Sequence, residues 1–444
     1  MNTGGNKRQH IRASVAAFVG TMIEWYDFYI YGTASALVFG QLFFPMKSAF
    51  IGTLASFATF AVGFFARPLG AIVFGHLGDK IGRKKTLIAT LVIMGTVTIC
   101  IGLLPTYASV GIWAPIMLVS LRILQGIAVG GEWGGAVLIA GEHAPKGRRM
   151  FFASFAQLGS PAALIVTLLA FRVVSAMPKA AFLSWGWRVP FLASVVLLVV
   201  GLLIRLGVSE SPEFERLRSA HKLAKVPVIE VLQTAWRRVG LAIAANALGI
   251  AGFYFTSTFM IAFTTQYLGL PRSLILDCLF IVAICQFCGQ PIAARMAEKV
   301  GESRFLLWTA GLSMLTPYFM FVLVDTKRTG IMIIGIATSV VIMASFYAVM
   351  AGFISGAFPT RVRYSGISLA YQFSGATFGG LTPLIGTVLA EKFKGHWWPL
   401  AVFYTLIAGT SFLGVWALIR MNKREVGYAE QDLELPVQVA PQAN

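Results

Sequence analysis

Long apolar runs alternate along this chain with short charged interruptions. A helix needs about 20 apolar residues to cross the hydrocarbon core of a bilayer. The runs meet that length and predict helices over 13–39, 50–74, 85–104, 112–142, 150–176, 189–208, 238–268, 273–293, 305–324, 330–357, 364–390 and 399–420. The longest polar interruption, 209–236, divides six helices from six. The pattern therefore predicts a short N-terminus (1–12), a six-helix bundle (13–208), a central loop (209–236), a second bundle (237–420) and a polar, disordered tail (421–444). Glu24 and Asp27 interrupt the first run and no small-residue cleavage site follows, so this run is expected to be retained rather than removed as a signal peptide.

The two predicted bundles echo each other. Gly75-His-Leu-Gly-Asp-Lys-Ile-Gly-Arg-Lys-Lys85 follows the second helix, and Ala294-Arg-Met-Ala-Glu-Lys-Val-Gly-Glu-Ser-Arg304 follows the eighth. Aligned without gaps, Asp79 meets Glu298, Lys80 meets Lys299, Gly82 meets Gly301 and Lys85 meets Arg304. Pro145-Lys-Gly-Arg-Arg149 and Pro359-Thr-Arg-Val-Arg363 repeat the relation after helices four and ten. Paired repeats of this kind build many transporters, with the substrate held between the halves near the midplane.

Composition excludes a water-soluble domain: 57% of the residues are hydrophobic and 12% charged, against about 25% charged in soluble proteins. A net charge of +18 raises the question of nucleic acid, and the placement of the charge answers it. With the N-terminus inside, 25 Lys and Arg fall in inner connections and nine in outer ones, while Arg67 and Arg122 lie within helices. That bias obeys the positive-inside rule and predicts both termini in the cytoplasm. The basic residues orient the chain, and no nucleic-acid partner is expected. Cys285 and Cys288 stand as a CxxC without a second ligand pair, so no metal is expected. No GxGxxG or Walker loop appears, so no nucleotide cofactor is expected either.

Gly75 to Lys85 resembles the loop signature of the major facilitator superfamily, G-x-L-x-D-(R/K)-x-G-(R/K)-(R/K), and Arg122-Ile-Leu-Gln-Gly126 resembles its R-x-x-Q-G element. Glu24-Trp-Tyr-Asp-Phe28, Ala66-Arg-Pro-Leu-Gly70, Gly130-Gly-Glu-Trp-Gly-Gly135 and Trp185-Gly-Trp-Arg-Val-Pro-Phe191 are similar to the metabolite:proton symporters of that superfamily. Trp25-Tyr-Asp27, Arg363-Tyr-Ser-Gly366 and Tyr371-Gln372 carry a likeness to the shikimate-type members. The resemblance implies an all-α major facilitator fold with twelve transmembrane helices in the inner membrane of a bacterium. It implies import of a small organic anion with protons by a monomer surrounded by lipid, and no enzymatic activity. The second loop copy departs from the pattern at Glu302 and Ser303, and Gly159-Ser-Pro161 departs from that of drug exporters. The osmolyte symporters carry a C-terminal coiled coil, whereas the tail after Arg424 has no heptads. The other readings to be weighed are a betaine- or proline-type symporter, an uncoupled facilitator and a transporter-fold sensor.

An ionisable side chain near the bilayer centre costs about 2.5–3.5 kcal/mol on insertion scales, so such residues tend to be paired and functional. Five fall well inside helices: Glu24, Asp27, Arg67, Arg122 and Glu132. Glu24, Asp27 and Tyr31 share one helical face, and Arg122, Gln125 and Glu132 form a stripe on another. At 1.5 Å per residue, Asp27 lies about 18 Å from the outer end of its helix and Arg122 about 15 Å from the outer start of its own. The two are level, which predicts a pair. Protonation of Asp27 would then free Arg122 for a substrate carboxylate, as the likeness to sugar/proton symporters also implies. The alternative is a static pair that holds the two helices together. Glu24 competes with Asp27 as proton carrier. Glu132 either passes the proton inward or balances Arg67, and Arg67 itself either takes that partner or snorkels to the interface. Gln157, Tyr254, Tyr371 and Gln372 join Tyr31 and Gln125 as candidate walls of the substrate site, although polar side chains in membranes often serve as glue between helices. Gly75, Asp79, Gly82, Arg83 and Lys84, with Arg67, Arg148 and Arg149, are the expected cytoplasmic gate. The glycines around Trp133 are expected to serve close packing.

Overall fold

The computed structural model describes residues 3–45, 48–81, 83–130, 132, 155, 157–206, 227–358 and 363–434. Of the expected gate residues, Gly82, Arg148 and Arg149 lie outside these residues, as do the side chains at Gly75, Asp79, Arg83 and Lys84. The described elements are helices, with no strand among them.

Helix α1, Thr3–Ala34, runs through a π-helical turn at Ser35–Phe39 into Gly40–Leu42. It is followed by α2 (Ala49–Ile81), α3 (Arg83–Leu103), α4 (Trp113–Val129), α5 (Gly159–Ser175) and α6 (Val189–Leu206). Helix α7, Trp236–Tyr254, also passes through a π turn, Phe255–Phe259, into Met260–Gln266. Then come α8 (Arg272–Val300), α9 (Glu302–Asp325) and α10 (Thr329–Ala357). Helix α11, Arg363–Ser374, crosses a third π turn at Gly375–Gly379 before Leu381–Lys392, and α12 spans Trp398–Glu434. Nine helical stretches among the described residues are long and apolar enough to cross a membrane, and α4 and α5 are shorter apolar helices.

The predicted helices recur within several residues of their expected ends wherever those ends are described, with three corrections; α4 is described only to Val129, with Glu132 in a turn beyond it, and the expected end of 112–142 and start of 150–176 lie outside the described residues. Helix α1 begins at Thr3 rather than 13, since residues 3–12 hold no proline. A short helix, Pro227–Thr234, lies inside the expected central loop, with proline at its first position, where the missing N–H costs nothing. Helix α12 continues through Glu434, so residues 421–434 are helical rather than disordered; they are rich in Lys, Arg, Glu, Gln and Ala, which favour a helix.

Helix pairing repeats. Helix α1 packs on α5 and α6, α2 on α4, and α3 on α4 and α6. Helix α7 packs on α11 and α12, α8 on α10, and α9 on α10 and α12. Each contact of the first group has a counterpart six helices on. The groups meet where α2 lies on α11 and α5 on α8, which are again counterparts. The π turns of α1 and α7 obey the same relation: the one at Phe255 lies 220 residues beyond the one at Ser35.

Small residues permit the closest approach. A Cβ at Gly70 would lie 1.9 Å from the carbonyl oxygen of Ile127, one at Gly126 would lie 2.0 Å from that of Gly63, and one at Gly130 would lie 2.1 Å from that of Arg67. Helices α2 and α4 thus cross backbone to backbone, as small residues allow in membranes. The expected packing role holds for Gly130, whereas Gly131, Gly134 and Gly135 lie outside the described residues. Leu203, Leu315 and Leu406 expose about two thirds of their surface, so the outer face suits hydrocarbon rather than water.

Candidate functional site

The site begins on α1, whose turns from Glu24 to Tyr31 are buried throughout. Asp27 is 1% exposed and Arg122 is fully buried, yet the direct pair expected between them is not formed. The Arg122 guanidinium lies over the Tyr31 ring, 3.9 Å from its centroid, and donates to the side-chain carbonyl of Gln125 and to the carbonyl of Phe60. Gly63 makes this possible, because a Cβ there would sit 2.8 Å from the guanidinium. A cation on an aromatic face needs no carboxylate to be stable, which is why the level heights of Asp27 and Arg122 do not produce an ion pair.

Hydrogen bonds lead from Arg122 toward Asp27 instead. Gln125 donates through its amide nitrogen to the Thr98 hydroxyl at 2.8 Å, and Thr98 donates to the Met94 carbonyl at 3.0 Å. The same hydroxyl is within side-chain reach of the Asp27 carboxyl. One carboxyl oxygen of Asp27 and the Nε of Arg122 are buried with no partner among the described residues. Both the carboxyl of Asp27 and the guanidinium of Arg122 thus keep spare hydrogen-bonding capacity.

Glu132 pairs with Arg205 of α6 and not with Arg67, and Arg205 also donates to the Leu87 carbonyl. The pair ties the end of α4 to α3 and α6. Sequence reasoning missed Arg205, whose place near the end of its helix reads as an orienting charge. Arg67 does not snorkel: it is 3% exposed, with its guanidinium 3.9 Å from the Phe28 ring centroid and 4.1 Å from that of Phe64. The two aromatic faces replace the water it would otherwise seek. Glu24, also buried, lies in the combined field of Glu132, Arg67 and Arg205.

Aromatic rings fill the space between the halves. Trp25 stacks on Tyr254 at 5.9 Å and lies 5.5 Å from Tyr29, while Phe253 meets Tyr347 edge-on at 5.0 Å. Of the expected wall residues, Tyr31 bonds to Thr59 at 2.6 Å, Tyr371 bonds to Tyr347 at 3.0 Å, and Gln372 donates across the halves to the Gly130 carbonyl at 3.2 Å. Gln157 is buried with its amide nitrogen unpartnered among the described residues. Structure and sequence differ most on α8. Gln286 and Gln290 are buried there, and all four of their amide atoms lack a partner among the described residues. Their spacing, Q-x-x-x-Q within an otherwise apolar run, was the available signal.

A family model described as "Sugar (and other) transporter" matches residues 13–227. The Shikimate transporter of Escherichia coli (strain K12) is 38% identical over 422 residues, covering 93% of this chain and 95% of its own length. The chain belongs to the major facilitator superfamily. The inner membrane metabolite transport protein YhjE of the same organism is 37% identical, covering 85% of this chain and 88% of its own. The Proline/betaine transporter of Escherichia coli is 32% identical, with coverage of 89% and 80%. Among solved structures, the proton:xylose symporter XylE bound to 6-bromo-6-deoxy-D-glucose superposes with a TM-score of 0.74 at 16% identity, over 93% of this chain and 96% of that one. The superfamily chain described here is a multi-pass membrane transporter rather than an enzyme.

Proposed function

We propose that this transporter imports a small hydroxylated organic acid of the shikimate type together with protons, by alternating access across the inner membrane. In this reading twelve helices cross the membrane in two six-helix halves, 13–208 and 237–420, with both termini in the cytoplasm and a single chain as the working unit. Driven by the proton gradient, it uses no cofactor. The repeated helix pairing supports the two halves, and the 25 to 9 distribution of basic residues supports the orientation. The relative whose name specifies shikimate supports the substrate class.

One observation carries the mechanism: Asp27 and Arg122 are both buried without an ion pair between them, each keeping an atom unpartnered among the described residues. A protonated Asp27 asks nothing of Arg122, whose guanidinium can then hold a substrate carboxylate; release of both to the cytoplasm lets the carboxylate attract Arg122 and resets the cycle. Glu24 is the second candidate carrier, and the Glu132–Arg205 pair is the next charged station on α4. The expected gate of Gly75, Asp79, Gly82, Arg83, Lys84, Arg148 and Arg149 is kept in this proposal as the inner closure.

A second reading has its own support. Trp25, Tyr29, Phe253, Tyr254 and Tyr347 cluster next to Glu24, and aromatic faces with a carboxylate suit a quaternary ammonium zwitterion. Uptake of radiolabelled shikimate and glycine betaine into proteoliposomes separates the two. Shikimate is expected to accumulate with an inward proton gradient and to fail to accumulate in Asp27→Asn. Accumulation of betaine alone would establish the second reading, and equilibration independent of the gradient would make the chain a facilitator.

A further inference from the structure

Gln286 and Gln290 stand four residues apart on α8 and so share one helical face. Both side chains are buried, and neither the carbonyl nor the amide nitrogen of either finds a partner among the described residues. Polar side chains stabilise membrane helices by bonding across them, and these two bond to nothing described. An amide kept from both water and partners is costly in a membrane interior. Two such amides on successive turns therefore call for a ligand.

The setting is defined at the first of the two residues. Gln286 borders a crevice shared with Val282 of α8, Thr256 and Ser257 in the π turn of α7, and Leu164 of α5. Thr256 donates to the Gly252 carbonyl at 2.7 Å and Ser257 to the Phe253 carbonyl at 2.5 Å, which leaves both hydroxyl oxygens free to accept. The crevice lies where α5 and α8 bring the two halves together, a contact that alternating access must loosen. No ionisable group among the described residues lines it, so the lining they provide is neutral.

We propose that Gln286 and Gln290 form a hydroxyl-reading subsite for the transported acid, whose carboxylate Arg122 takes in the reading above. A primary amide offers a donor and an acceptor together, the complement of a hydroxyl group. Two amides one turn apart match neighbouring hydroxyls on a small ring. This rests on the hydroxylated-acid reading above and adds to it the residues that select for hydroxyls. Ordered water is the other source of the same chemistry.

The test compares shikimate with cyclohex-1-ene-1-carboxylate, which keeps the ring and carboxylate but lacks the hydroxyls, on the full-length protein. Gln286→Met and Gln290→Met keep side-chain length. Each is expected to raise the KM for shikimate by roughly tenfold, one good hydrogen bond's worth, while the inhibition constant of the analogue stays within about twofold. In the ligand-free protein the melting temperature is expected to hold or rise, because an unsatisfied amide is removed. Equal weakening of both compounds, or of neither, would overturn the proposal. A melting temperature lowered by several degrees would also overturn it, since the amides would then be bonded to structural water or to neighbouring helices. If the wild-type protein ignores shikimate, the substrate reading falls, and the ligand-free melting temperature still decides whether the glutamines await a ligand.

Discussion

At the scale of single residues, the acid–base set works through geometry set by small neighbours. The Arg122 guanidinium occupies space that a Cβ at Gly63 would enter at 2.8 Å. The clash is with the end of a flexible side chain, so the protein is expected to fold when Gly63 is replaced by alanine. Displacement from the Tyr31 face should weaken the carboxylate site: in Gly63→Ala the KM for the acid rises by roughly tenfold at near-normal expression, as measured by uptake kinetics. Thr98 gives a sharper test. Its hydroxyl neighbours the Asp27 carboxyl and accepts from Gln125, which in turn accepts from Arg122, so Thr98→Val is expected to impair gradient-driven accumulation while sparing exchange of labelled for unlabelled substrate. Thr98→Ser, which restores the hydroxyl, should recover most of the accumulation. Equal losses in both assays for Val and Ser would reduce Thr98 to a packing residue.

Helix crossings set the positions of these residues. Helices α2 and α4 touch through backbone at Gly63, Gly70, Gly126 and Gly130, and that contact brings Arg122 and the aromatic cradle of Arg67 together. A methyl group at Gly126 would meet the Gly63 carbonyl oxygen at 2.0 Å, and backbone cannot step aside as a side chain can. Gly126→Ala is therefore expected to lower the yield of monodisperse protein severely, whereas Gly311→Ala, whose Cβ meets only Phe412 at 3.9 Å, should leave it unchanged. Fluorescence-detected size exclusion of the two variants is the check. The π turns at 35–39, 255–259 and 375–379 belong to the same scale. Each inserts a residue into a helix at the interface of the halves, and local widening of this kind is frequent at functional sites. No sequence feature singled them out, because all three segments read as ordinary continuations of apolar helices.

For the whole molecule, one end of the contact between halves is tied by polar groups. Arg172 of α5 meets Asp277 of α8 at 2.5 Å, and Gln266 donates to Thr53 of α2 at 2.9 Å. Nearby, the Tyr267 hydroxyl donates to Glu391 at 3.1 Å; burial and that carboxylate push its phenol upward, so it remains a donor at any physiological pH. In the proposed orientation this end faces outward, and the ties hold it shut. The Arg172–Asp277 pair is nearly half exposed, which limits it to about 0.2–1 kcal/mol. Asp277→Asn is thus expected to shift the molecule toward the outward-open state by at most about fivefold. Spin-label distances between α5 and α8 measure the shift, and no change would remove the pair from the outer gate.

The sequence by itself determined the helices, because a run of apolar residues of bilayer length has no other stable form in lipid. The family signature was legible in Gly75–Lys85 and Arg122–Gly126, and the internal repeat in the paired loops. The candidate acid–base residues were legible too, since charges are rare enough in such a chain to stand out singly. Tertiary structure alone decided their partners. Helical rise places Asp27 and Arg122 at one height, but only the packing of the helices lays the Tyr31 ring of α1 on the guanidinium, which turns to Gln125 of its own helix instead of the carboxylate. Glu132 found Arg205 rather than Arg67 for the same reason. Gln286 and Gln290 stayed hidden because a glutamine in a membrane helix is ordinarily glue, and whether it has a partner depends on a neighbouring helix distant in the chain. Spacing fixes which face a side chain occupies; the packing of other helices fixes what that face meets.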